Sequence, residues 1–220
     1  MKRIVLNLLV SCITGVTAGM KQQEVARFRS IKREIRVLGI DDGGVVSRAG
    51  ETVKLVGVVY RGGYWLDGVM WSEIRANGMD ATERIASMIL TSPHYGQLRV
   101  VILGGMALAG LNIVDIHELH EKTKLPVIVI TKEKPRSEEM RKALMTLPKY
   151  EKRWKIIQNA GKAVEIPAQR GKTMYLWTAG ISEEDAKRIV KITSVKGGIP
   201  EALRVARIVA AKLARLEGKV

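Results

Sequence analysis

Between residues 35 and 71 the chain carries three β-rich runs parted by glycine-bearing turns, with nothing helical among them. Ile35-Arg-Val-Leu-Gly-Ile40 is apolar on nearly both parities, as a strand covered on both faces must be. Asp41-Asp42-Gly43-Gly44 ends that run in a turn. Val53–Tyr60 and Tyr64–Trp71 follow, joined by Arg61-Gly62-Gly63. A three-residue link containing glycine reads as a hairpin with a G1-type bulge. The three runs predict an antiparallel meander with the first strand central.

After residue 80 the pattern changes to alternating helix and strand. Asp80, with Glu83 as capping-box partner, predicts a helix to about Leu90. Leu98–Leu103 reads as a strand. Asn112, with Asp115 three residues on, predicts the start of a second helix, and Pro126–Ile130 is another short strand. Ser137 caps a helix over 138–146, and a further helix at 149–160 stops at Gly161. Strands follow at 162–167 and 173–178. Ser182 with Asp185 opens a helix to 192, and Pro200 opens the last one, 200–216. The order β-β-β-α-β-α-β implies an α/β fold: a mixed sheet, a three-stranded antiparallel meander followed by βαβ units, with helices on both faces. A doubly wound dinucleotide fold is excluded, because Gly39 leads into Ile-Asp-Asp rather than a glycine-rich turn. Gly104-Gly105 lacks the Lys-Ser/Thr of a phosphate loop.

A chain of 220 residues buries a full core without a covalent staple, and its lone cysteine, Cys12, forms no intrachain disulfide. The organisation expected is an N-terminal extension over 1–30 and one domain over 31–220. In the extension, Lys2 and Arg3 precede an apolar stretch, Ile4–Val16, in the form of a secretory signal. The alternative is an extended start with Met20 as initiator. The rest of the chain has no cysteine pair and no Asn-x-Ser/Thr sequon, which favours a cytoplasmic protein with no membrane partner and no obligate protein partner. The formal net charge of +15 is uneven. Residues 31–130 balance 11 basic against 11 acidic side chains, whereas 131–220 carry 21 against 10. A basic half beside a neutral half points to a polyanion, DNA or RNA. Heat adaptation is the other source of such charge, consistent with only 4 Asn and 5 Gln.

Asp41 and Asp42 are the leading candidates for chemistry. Two adjacent carboxylates at a strand end repel each other and are costly to bury, and a hard cation, Mg²⁺ or Mn²⁺, offsets both costs. Alternation along a strand lets only one of them face a given site, and a plain Asp-Gly turn is the alternative reading. Asp67 shares parity with Trp65, Val69 and Trp71, so its carboxylate needs a partner, a metal or Arg61. Asp80, Glu83 and Asp115 lie where capping explains them. His117 and His120 are three apart on one helix but lack HExxH spacing. Arg61, Tyr64 and Trp65 at a hairpin tip, and His94 with Tyr95 in a loop, suit phosphate contact and base stacking. Arg204 and Arg207 lie on a basic arc of the last helix, fit for a solvated face or for a phosphate backbone.

Several stretches together resemble a known family. They are Ile35-Arg-Val-Leu-Gly-Ile-Asp-Asp-Gly43, Leu55-Val-Gly-Val-Val-Tyr-Arg-Gly-Gly-Tyr-Trp-Leu-Asp-Gly68, Asp80-Ala-Thr82, Ser92-Pro-His-Tyr95 with Gln97-Leu-Arg99, Leu111-Asn-Ile-Val-Asp115 and Pro200-Glu-Ala-Leu-Arg-Val-Ala206. The chain is similar over about 31–217 to an uncharacterised, mainly archaeal family, domain of unknown function number ninety-nine. The resemblance implies a ribonuclease H-like fold related to endonuclease V. Enzymes of that kind place an Asp on the first strand, a Glu farther along and an Asp at the end of the fourth strand. The first matches Asp41 or Asp42. The fourth strand here ends Ile102-Leu103-Gly104-Gly105, without a carboxylate. The expectation is a nucleic-acid-binding protein with metal-dependent phosphodiesterase activity. Asp41 and Asp42 would hold Mg²⁺ or Mn²⁺, and Asp67 and Asp115 would complete the catalytic set. The alternatives are a non-catalytic nucleic-acid-binding module and a scaffold.

Overall fold

A computed structural model describes residues 28, 30–44, 48–167, 173–196 and 198–218. The expected N-terminal extension lies outside the described residues, apart from Phe28 and Ser30. The first three strands form the meander: β1 (Arg36–Asp41), β2 (Thr52–Arg61) and β3 (Trp65–Arg75), with both pairings antiparallel. Helix α1 (Ala81–Leu90) and strand β4 (Val100–Leu103) follow. Next come two-residue strands β5 (Ala107–Leu108) and β6 (Asn112–Ile113), helix α2 (Ile116–Thr123) and strand β7 (Val127–Thr131). Helices α3 (Ser137–Met145) and α4 (Tyr150–Asn159) lead to β8 (Val164–Pro167) and β9 (Thr173–Ala179), and α5 (Glu183–Thr193) and α6 (Glu201–Leu216) close the chain. No helix among the described residues is long and apolar enough to cross a membrane.

Seven strands make one mixed sheet in the order β3-β2-β1-β4-β7-β9-β8. β1, β4 and β7 run parallel, so their carboxyl ends meet at one edge. Both faces are covered, as the doubly apolar β1 requires. Leu38, Ile40, Val101 and Leu103 pack with Ile85, Ile89 and Leu119 of α1 and α2. On the other face Val37 and Ile102 pack with Ile189 of α5 and with Ala202 and Leu203 of α6. Val56 and Val58 meet Ala206 and Ala210 of α6.

Helix α6 sits at backbone distance from β1 because two glycines make room. A Cβ on Gly39 would collide with the backbone of Ala202 and Leu203, and one on Gly43 with that of Ala210 and Ala211. The four-residue step on the strand side and the eight-residue step on the helix each span roughly 12–13 Å. The helix therefore runs alongside β1 and past its end.

Some local expectations are corrected. The N-cap of α2 is Asp115, whose carboxylate accepts from the N–H groups of His117 and Glu118, and not Asn112. Asn112 lies on β6, where its amide joins Arg75 O, Asp80 Oδ1 and Ala81 N. Asp80 stands at the start of α1 but makes no side-chain cap, because Arg75 N and Asn112 Nδ2 use its Oδ1. Glu83 pairs with Lys122 rather than closing a capping box. Ser137 is the first residue of α3, after an Arg136 that makes no side-chain cap. Ser182 does cap α5, accepting from Asp185 N. The bulge in the meander falls inside the strands: Tyr60 pairs with Leu66 and Val59 with Gly68, which leaves Asp67 as the extra residue.

Candidate active site

Asp41 is the last residue of β1 and Asp42 the first beyond it, both within a tenth of full burial (7% and 9% exposed). Each turns back on its own loop: Asp41 Oδ1 accepts from Gly43 N at 2.7 Å and Asp42 Oδ1 from Gly44 N at 2.9 Å. Gly43 and Gly44 have φ of +77° and +67°, which glycine adopts without strain. The second oxygen of Asp42 accepts from Ala109 N at 2.5 Å and so ties the β5–β6 turn to the end of β1. Strand alternation thus parts the two carboxylates: Asp41 shares the parity of Gly39, toward α6, while Asp42 reaches the β5–β6 loop.

Burial pushes the Asp41 carboxyl up to about 6; the neighbouring charge of Asp42 adds to that, while the Gly43 N–H and the Arg207 charge oppose it. No ion pair to Asp41 occurs among the described residues. Beside it stands Gly104, just past β4, where any Cβ would collide with Asp41 Oδ2. Arg207 reaches the same corner from α6: its Nη2 would lie 3.5 Å from a Cβ on Gly44.

One residue past Gly104, at the carboxyl edge of the parallel strands, an open groove of about 1100 Å³ begins at Gly105. Crevices at such strand ends are where open α/β sheets bind ligands. Tyr175 and Trp177 of β9 and the cations Lys134, Arg136 and Lys162 line it, with Glu133, Glu139 and Glu165 interspersed. Arg136 is paired with Glu139 at 3.1 Å, and Trp177 donates Nε1–H to Gly161 O at 3.2 Å.

The other expected site residues lie elsewhere. Asp67 sits near the opposite end of β1, bonded to Arg36 at 2.9 Å and Arg61 at 3.3 Å. Arg36 pairs with Arg61 in register while Asp41 pairs with Val56, so roughly 17 Å of strand separates Asp67's partners from Asp41. Asp115 spends its carboxylate on the α2 cap. The structure therefore does not gather Asp41, Asp42, Asp67 and Asp115 into one cluster. No group of three or more His, Cys, Asp or Glu disposed to hold a metal occurs among the described residues.

Arg61, Tyr64 and Trp65 do come together, at that far end. Tyr64 and Trp65 are 68% and 49% exposed with ring centroids 5.7 Å apart, and the Arg61 guanidinium is 5.5 Å from the Trp65 ring. The His94 ring packs against Gly68, whereas Tyr95 is turned inward and donates to Thr123 O at 2.9 Å. On α6, Arg204 is held by Glu201 at 2.7 Å, and Arg207 has no ion pair among the described residues.

Two features escaped the sequence reading. The β5–β6 hairpin is too short to show a period, and only Ala109-Gly110 hints at its turn. Arg153 looks like one more cation in a basic stretch, yet it is buried. Its guanidinium donates to Asn77 O, Gly78 O, Leu111 O and Pro148 O at 2.6–3.1 Å. Its place inside the apolar register of α4 is invisible without the partner carbonyls.

A mixed sheet in this arrangement, with helices on both faces, is similar to the fold of endonuclease V. Endonuclease V from Ciona intestinalis, solved with a 24mer DNA containing an inosine followed by a ribo-adenosine, superposes with a TM-score of 0.55. It is 14% identical and covers 83% of this chain and 87% of its own, a likeness of fold. A protein of unknown function from Archaeoglobus fulgidus matches more closely, with a TM-score of 0.73, 36% identity, and 81% and 98% coverage. The endonuclease dU family profile matches residues 33–214, and the chain belongs to that family. Among relatives, a UPF0215 protein of Methanosarcina barkeri is 47% identical over 180 residues, 82% of this chain and 91% of its own. One of Pyrococcus furiosus is 41% identical over 193 residues, 86% and 97% of the two chains.

Proposed function

We propose that this protein is a divalent-metal-dependent endonuclease that cleaves DNA at or beside deoxyuridine. The observation that carries the reading is the buried Asp41–Asp42 pair at the carboxyl edge of the sheet. The substrate follows the family's name, and the fold is one that binds DNA in endonuclease V.

The residues fit Mg²⁺ or Mn²⁺. Asp41 is a buried carboxylate with no cation bonded to it among the described residues, and Gly104 brings no side chain against it. Such ions commonly take one or two protein carboxylates, with water and phosphate filling the other positions. Asp41 is the ligand, and Asp42, whose two oxygens accept from Gly44 N and Ala109 N, holds the β5–β6 turn beside it. When bound, the ion would polarise the phosphodiester and lower the pKa of a coordinated water. The chain's own part is to hold substrate in place. Trp177 and Tyr175 offer ring faces to an unpaired base, and Lys134 and Lys162 offer charge to the backbone. The exposed Arg61, Tyr64 and Trp65, at the other end of β1, would meet nucleic acid away from the reacting bond.

The test is cleavage of oligonucleotides bearing deoxyuridine, inosine or neither, as single strands and duplexes, with Mg²⁺, Mn²⁺ or EDTA. The expected result is metal-dependent cutting of the deoxyuridine strand that Asp41→Ala abolishes. Binding without cutting by the wild type would favour a non-catalytic module, the reading that the missing fourth-strand carboxylate supports. Cutting that survives Asp41→Ala would remove the site.

A further inference from the structure

We propose that Arg207 is the cation that receives the scissile phosphate beside Asp41. This rests on the endonuclease reading and assigns one of its binding contacts. A phosphodiester brought to two carboxylates is repelled by both, so the site needs a positive group that is not already spent. On α6 the choice is narrow. Arg204 is locked to Glu201 by two contacts at 2.7–2.8 Å. Arg215 is two turns beyond Arg207, near the helix end, and Lys212 lies between them. Arg207 is the α6 cation whose side chain lies against the turn after β1, with Nη2 next to Gly44.

Its placement is fixed by backbone. Gly39 and Gly43 bring α6 against β1 at Ala202–Leu203 and again at Ala210–Ala211. Arg207 falls between these contacts, about a turn from the second. Close backbone approach at both glycines seats the helix on the strand on either side of it, so the root of the arginine is held while the residue stays exposed. That combination suits a group that must wait for a ligand. A planar guanidinium presents two N–H groups to two phosphate oxygens, which an ammonium does not.

The experiment is a salt series of binding in EDTA, by fluorescence anisotropy on a deoxyuridine oligonucleotide, for wild type, Arg207→Gln, Arg207→Lys and Arg215→Gln. Single-turnover cleavage with Mn²⁺ is measured beside it. One phosphate contact contributes about one unit to the slope of log K against log salt. The expected result is that Arg207→Gln lowers the slope by about one, Arg207→Lys keeps it, and Arg215→Gln changes it by much less. In cleavage, Arg207→Gln should lose about 10²-fold in rate at saturating substrate, the scale of removing one transition-state donor. Arg207→Lys should fall between, and Arg215→Gln should match wild type. Equal slopes for Arg207→Gln and Arg215→Gln would reduce the effect to net charge and overturn the assignment, as would wild-type cleavage by Arg207→Gln. If wild type binds but cuts nothing, the endonuclease reading fails, and the slope alone decides whether Arg207 meets phosphate.

Discussion

Replacing Asp41 with Asn should make the metal-free protein more stable at neutral pH. The carboxyl is pushed from 3.8 to about 6 by burial and by Asp42. The folded protein therefore holds this proton up to about pH 6, whereas the unfolded chain releases it near 3.8. The stabilising contribution of the proton is complete below pH 3.8 and is lost as the pH rises through 6. Two units correspond to roughly 3 kcal/mol withheld from the folded state above that range. Asn is neutral at every pH and keeps an oxygen to accept from Gly43 N. At pH 8 in EDTA, Asp41→Asn should thus gain about 2–3 kcal/mol, or roughly 4–12 °C in Tm for a chain of this size. The assay is calorimetry from pH 4 to 8, with and without Mn²⁺. The gain should shrink toward pH 4, and Mn²⁺ should raise the Tm of wild type but not of the variant. A lower Tm for Asp41→Asn at pH 8, or a gain that does not change with pH, would refute the account of Asp41 as an uncompensated buried charge.

Arg153→Met should cost about 3 kcal/mol or more, read by chemical denaturation, because four carbonyls lose their donor at once. Asp67→Asn should cost about 1 kcal/mol, the scale of a partly exposed ion pair, and leave Mn²⁺ affinity by titration calorimetry unchanged. Asp115→Ala should cost about 1 kcal/mol by removing the α2 cap, with deoxyuridine cleavage kept within about twofold.

The frame was legible because its signals are local. The doubly apolar run at 35–40, the Arg61-Gly62-Gly63 turn and the Ser182 and Pro200 helix starts each act over a few residues, and each marked its element. Asp41 and Asp42 were legible for the same reason, since adjacency in sequence is enough to raise the problem of like charges. For Asp67 the Arg61 partner was legible and is present at 3.3 Å, but its place in a metal site misled, because parity counts assume an unbroken strand. The bulge shifts the register at that residue and delivers its carboxylate to Arg36, a contact across 31 positions. Asp115 and Asn112 exchanged roles because they lie only three positions apart and either can open a helix. The choice was made by Asp80 and Arg75, partners distant in the chain. Arg207 differed from Arg204 only through Glu201 and the glycines of β1, which no helical period can reveal.

Gly104 has a consequence for what this corner can hold. Asp41 Oδ2 already lies where a Cβ on residue 104 would stand, so any side chain there must turn that carboxylate to another rotamer. A carboxylate placed at 104 would therefore displace the Asp41 oxygen rather than simply add to it. The bare strand end is what leaves Asp41 its present orientation.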